Sequence, residues 1–250
     1  MKPGYTRFFV GYKKHTLRLW INGFEPFVLL VPLVSWAAPA SVPESYLLKP
    51  SLNYCLKRLE FHRDIVVGDM GYIHQETKRH FRVHWNLAVL TKMKADMQAH
   101  CAYSPTQALR CPQGQELAWR GYSPDEQQHF YQPAAPASLC HWCWQQSQCP
   151  KEFSHAADEH ETFFGSIPLN TVTAHKLLYS VRSWIEPAQS FEKNQLGLKR
   201  MFQNSLHLCW TLCLLADSAV LLRALAILAQ PQSHDLLSEL MPRQTTFNFE

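Results

Sequence analysis

The chain is short of charge. Lys, Arg, Asp and Glu make up 18% of its 250 residues, against 46% apolar residues, and the net balance is a mild +4. So apolar a chain is expected to be globular, which excludes wholesale disorder. So small a net charge permits a polyanionic partner but is only weakly diagnostic of one. Thirteen histidines would add positive charge on acidification. Internal repeats and low-complexity tracts are also lacking, and the length suits one sizeable core, or one core with a large insertion.

Two further absences set the compartment. Residues 27–38 mimic a signal peptide, with basic residues upstream and Ala38-Pro39-Ala40 behind. Glu25 abuts that run, Pro32 interrupts it and the upstream part is too long for a leader. Residues 206–228 are long enough to span a bilayer, but Asp217 and Arg223 would be costly in lipid. They read as a buried amphipathic helix. The expected setting is therefore cytoplasmic, with no membrane. Cysteines stay reduced there unless they bind metal. Cys55, Cys209 and Cys213 lie in apolar stretches and read as small buried hydrophobes. Cys101, Cys111, Cys140, Cys143 and Cys149 lie in polar, turn-rich sequence and need another explanation.

What is present is an alternation of strand and helix signals. Residues 8–20 and 27–36 read as strands, the second more buried, closed by Pro39 and Pro43. Leu48, Leu52, Leu56 and Leu59 recur at helical spacing, with Pro50 disturbing the first turn. Residues 64–69 form a short buried strand ending in Asp69. Residues 87–91 form another, after a polar helical connection. Residues 96–166 break this rhythm with many prolines, glutamines and cysteines, and read as an insertion. The chain is strongly helical from about 167 to 229, and a polar tail follows. The expected fold is α/β, with helices on a mixed sheet. The segments are 1–95, 96–166, 167–229 and 230–250.

Three constellations carry chemistry. The first is Tyr179, Arg182, Glu186 and Lys193, spaced by three, four and seven. At about 100° per residue they share roughly 60° of a helix surface. A carboxylate with two cations and a phenol suits a phosphodiester site, where the carboxylate holds a divalent ion and the cations hold phosphate oxygens. A solvated helix face with i, i+4 ion pairs has the same spacing, and Pro187 interrupts the helix beside Glu186. The second is Asp69, which follows Ile65-Val66-Val67-Gly68. A carboxylate ending a buried strand is a common metal ligand and an equally common strand-to-helix cap. Asp64, at the start of that strand, reads as a turn residue. The third is Cys140-His-Trp-Cys143 with Cys149, and Cys111 upstream. Four thiolates could bind zinc tetrahedrally or remain free, with His141, His155 or Cys101 as substitute ligands. A structural zinc would staple an insertion too short to build its own core.

Tyr-x2-Arg-x3-Glu-x6-Lys at 179–193 resembles the signature of a large group of insertion-sequence DNA transposases of the Asp-Asp-Glu type. Phe164-Gly-Ser-Ile-Pro168 before it and Leu196-Gly-Leu-Lys199 after it are similar to the same family, and a proline after the glutamate also occurs among relatives. The resemblance runs from about residue 9 to 228. It implies an RNase H-like core in which Glu186 is the third metal-binding carboxylate. Tyr179, Arg182 and Lys193 would contact the backbone of transposon-end DNA. The Asp69-Met-Gly-Tyr72 segment is similar to the family's second catalytic aspartate. Some relatives carry a comparable cysteine-rich insertion between the aspartate and the glutamate. The implied chemistry is Mg²⁺-dependent strand cleavage followed by attack of the freed 3′-hydroxyl on target DNA. The implied location is cytoplasmic, on the nucleoid when DNA-bound.

One family feature is missing. The resemblance puts Gly11-Tyr12-Lys13-Lys14-His15 on the second core strand and requires a first strand with its own aspartate ahead of it. Residues 1–10 contain no Asp or Glu. The expectation is a catalytic core short of its first strand, inactive by itself. The alternative is a non-catalytic, zinc-stabilised DNA-binding remnant that interferes with an intact transposase by forming mixed assemblies, and a homodimer is the other expected partner state.

Overall fold

The structure, a computed structural model, describes residues 11–24, 27–59, 65–134, 140, 149–198 and 205–229. It is mixed α/β, and the chain divides into two compact units: residues 1–59 with 183–250, and residues 60–182.

The first unit is built on an antiparallel hairpin of β1 (Tyr12–Phe24) and β2 (Phe27–Pro39). Pairing runs from Tyr12 opposite Pro39 to Phe24 opposite Phe27, with a slip where Pro32 faces Arg18. Proline has no N–H for the ladder, so a bulge is the expected accommodation. Helix α1 (Ser45–Arg58) buries Leu48, Leu52 and Leu56 of the anticipated stripe together with Cys55, carries Pro50 inside it, and ends before Leu59, which is its half-buried C-cap.

The last helix of this unit (Leu206–Leu228) turns its small and polar residues inward. Cys209, Cys213, Ala216, Asp217 and Ala224 are buried, while most of its leucines are exposed. This corrects the expectation of a buried amphipathic helix. Helical periodicity was absent because nearly every position is apolar, so only the tertiary partner chose a face. The hairpin chose it: Trp36 stacks on Trp210 at 6.1 Å, Trp210 Nε1 donates to the Ser35 carbonyl at 3.3 Å, and Leu29 packs against Ala224.

In the second unit β3 (Ile65–Gly68) crosses through α2 (Gln75–Trp85) to β4 (Ala88–Thr91), with which it pairs in parallel, Ile65 opposite Ala88 and Gly68 opposite Thr91. A short helix α3 (Ala95–Ala99) leads to an antiparallel sheet of β5 (Leu117–Ser123), β6 (Gln128–Pro133) and β7 (Phe153–Ala156). Leu117 and Tyr131 of that sheet share one core with Ala88, Leu90, Phe163, Phe164 and Ile167. The segment read as an insertion without its own core therefore packs into a common one. Its alternation was hidden because β5 and β6 are short and half-buried, with the aromatics Phe130 and Tyr131 on opposite faces of β6.

The described strands form three small sheets rather than the single mixed sheet expected. Strand signals in sequence identify extended segments, not their partners.

Helix α4 (Val172–Asn194) contains Pro187, and the unit boundary falls within it, after Arg182. It stops at a turn where Gly197 adopts φ +73°, a left-handed conformation natural to glycine. The last helix is hereafter α5.

Candidate functional site

Asp69 lies at the carboxyl end of β3, where the sheet fixes the chain but leaves the side chain exposed. Its Oδ1 accepts the Met70 N–H at 2.7 Å and caps the 3-10 turn Met70–Tyr72. The cap reading of this carboxylate is thus realised, and capping leaves a carboxylate further acceptor capacity for a cation. Gly68 beside it sits close to the paired strand, where a Cβ would lie 3.3 Å from Thr91 Cγ2 and that methyl would have to give way. Asp64 lies outside the described residues.

Tyr179, Glu186 and Lys193 are all exposed on α4, and Tyr179 is 80% exposed. For Arg182 only the helical backbone is described. The helix thus presents the three described members of the stripe to solvent. Asp69 and Glu186 belong to different compact units.

The orientation of the stripe has a cause that the sequence reading missed. Glu192, next to Lys193, is buried and receives hydrogen bonds from Lys14 Nζ at 3.1 Å and from Arg18 Nη2. Lys14 also binds Asp217 Oδ1 of α5 at 2.6 Å. Two cations of the hairpin and two carboxylates of two helices thus form one low-solvent cluster. At about 100° per residue Glu192 points roughly 110° away from the centre of the stripe. Burying Glu192 against β1 therefore turns Glu186 and Lys193 outward. The signal was visible as isolated cations in an apolar strand and a lone aspartate in an apolar helix, which need each other once buried.

The second unit has its own buried polar set. Arg82 grips Glu161 with two bonds, Nε to Oε1 at 3.0 Å and Nη2 to Oε2 at 2.6 Å, and also donates to Tyr122 and Gln127. Lys78 Nζ donates to the Thr162 carbonyl at 3.2 Å, and burial lowers its pKa to about 8 despite the nearby Glu161. His129 accepts from Trp119 Nε1 at 3.1 Å and donates through Nε2 to the Gly165 carbonyl at 3.0 Å. Burial, opposed by the Gly165 bond and aided by Arg82, holds its pKa down at about 4. Gly165 itself sits at φ +49°, and Phe163 and Phe164 are fully buried. The 164–168 segment that marks the family resemblance thus forms part of the core here.

Cys111, Cys140 and Cys149 are partly exposed thiols. Cys143 and His141 lie outside the described residues. Of the substitute ligands, Cys101 Sγ accepts the Tyr103 N–H, and His155 pairs with Glu159 at 3.1 Å and stacks on Phe164. Among the described residues no three His, Cys, Asp or Glu side chains converge as a metal-binding group. Cys55, Cys209 and Cys213 are buried, in keeping with their apolar surroundings.

No protein-family model, no curated protein and no solved structure matches the chain.

Proposed function

We propose that this chain is built on the RNase H-like scaffold of an insertion-sequence DNA transposase. In this reading it holds transposon-end duplex DNA, with Asp69 and Glu186 as two of its metal-binding carboxylates. The observation that carries the reading is the outward stripe on α4. A tyrosine 80% exposed beside an exposed glutamate and lysine, on a helix fixed from behind by buried Glu192, is a surface prepared for an anionic partner. Lys193 and Arg182 would pair with phosphate oxygens, and the Tyr179 hydroxyl would donate to one.

The β3–α2–β4 crossover, with β3 and β4 parallel and Asp69 at the end of β3, is compatible with such a scaffold. Asp69 and Glu186 are exposed carboxylates, hard oxygen donors of the kind Mg²⁺ prefers. When bound, Mg²⁺ would supply positive charge to the scissile phosphate. Cys111, Cys140, Cys143 and Cys149 are proposed as ligands of one structural zinc, and the setting as cytoplasmic and nucleoid-associated.

The test uses the full chain and a duplex made from the DNA flanking its own reading frame. Gel retention is expected, weakening with salt. Lys193→Ala should lower affinity for all sequences alike and reduce the log–log salt slope by about one. Any nicking in Mg²⁺ should vanish in Glu186→Ala. Absence of retention even at low salt, or cleavage that survives both Asp69→Ala and Glu186→Ala, sinks the proposal.

A further inference from the structure

The outer face of α5 is apolar and exposed. It is the one helix among the described residues long and apolar enough to cross a membrane, with a mean hydropathy of 2.0. Yet it exposes this character: Leu215 is 62% exposed, Leu222 67% and Leu225 60%.

We infer that the outer face of α5 is an interface that pairs with the same face of a second copy of this chain. Leu208, Leu215 and Leu222 recur every seven residues, and Leu214 and Leu221 form a parallel row. With Leu225 they occupy about 140° of the helix surface. A seven-residue leucine repeat is the pattern by which one helix packs its side chains into another.

The polar groups on this face are already satisfied within the helix. Thr211 Oγ1 donates to the His207 carbonyl at 3.0 Å and Ser218 Oγ to the Leu214 carbonyl at 2.9 Å, so burying them orphans no hydroxyl. The helix's two charges lie elsewhere: Asp217 is bound by Lys14, and Arg223 stacks on Phe191 at 4.8 Å. Apart from His207 in the first turn, the face carries no titratable group. A face without charge selects an equally uncharged partner, and another copy of itself supplies one under two-fold symmetry.

Lipid fits less well. The opposite side of α5 is fastened to a hairpin by Lys14–Asp217 and by Trp210 bonding to Ser35, so hydrocarbon cannot surround the helix. The area suffices for a dimer. The six leucines of this face offer roughly 600 Å² per copy, and a pair would bury about 1,200 Å², where specific interfaces begin.

Sedimentation velocity on the full chain tests this across a hundredfold range of concentration. The expected species is twice the 28.9 kDa of one chain, dissociating on dilution. The double variant Leu215→Glu, Leu222→Glu changes side chains that already face solvent. It should sediment as a monomer with unchanged helical circular dichroism. A wild-type chain that stays monomeric at tens of micromolar overturns the proposal. So does a dimer that survives the double variant. Co-flotation of the wild-type chain with uncharged phosphatidylcholine vesicles, in place of self-association, would also overturn it and assign the face to lipid. None of these outcomes depends on DNA binding.

Discussion

Glu186 and Glu192 sit six residues apart on one helix and are set up for opposite tasks. Glu192 is enclosed with Lys14 and Arg18, and removing it would leave Arg18 without this carboxylate and Lys14 with Asp217 alone. Glu192→Ala should therefore cost about 3–5 kcal/mol of stability in urea titrations, the usual penalty for breaking a buried pair. Glu186→Ala, at an exposed position, should change stability by less than about 0.5 kcal/mol. Equal effects would contradict the orientation assigned to α4. The proposed metal binding has its own residue-level check: Mn²⁺ binding followed by electron paramagnetic resonance should weaken in Asp69→Ala and in Glu186→Ala, and binding unchanged in both variants would count against these two ligands. His129 gives a pH signature. Its folded pKa of about 4 lies below the ordinary 6.5, so between these values the unfolded chain binds a proton that the folded chain refuses. Stability from this group is present above about pH 6.5 and is lost as pH falls toward 4, by roughly 3 kcal/mol. His129→Gln should flatten that part of the stability profile.

At the scale of elements, α4 and the cysteine-bearing segment are the ones to probe. Pro187 lies within α4 and cannot donate to the carbonyl four residues back. Pro187→Ala should restore that bond, raise helical content and add up to about 3 kcal/mol of stability. A loss of stability would mean that the chain depends on a local distortion there. The zinc proposal predicts about one zinc per chain by elemental analysis, lost on Cys140→Ser. A zinc-free chain with unchanged folding would leave the shared core of Leu117, Tyr131, Phe163 and Phe164 as sufficient support for this segment. The α4 stripe was legible in sequence because helical spacing is rigid geometry. The three strands β5, β6 and β7 were not, because short half-buried strands carry little alternation and their pairing is long-range.

Over the whole molecule, the mild charge of +4 leaves the proposed DNA retention to a few well-placed cations rather than to a general positive field. Filter binding at fixed pH should then fall as salt rises, and retention insensitive to salt would count against the α4 cations. The inward-facing cysteines and outward-facing leucines of α5 belong to this scale too. A helix so evenly apolar acquires an inside and an outside only from what it packs against.

The amino-acid sequence by itself determined the hairpin strands, the buried stripe of α1, the carboxylate at the end of β3 and the four-residue pattern on α4. Each of these is encoded by local spacing within a few turns or a few pleats. Only the tertiary structure decided which way α4 and α5 face. Lys14 and Arg18 lie more than 170 residues before Glu192, and Lys14 lies about 200 before Asp217. No local periodicity can report a charge pair closed over such a distance. Yet desolvated charges must find each other, and where they meet fixes which side chains are left facing water.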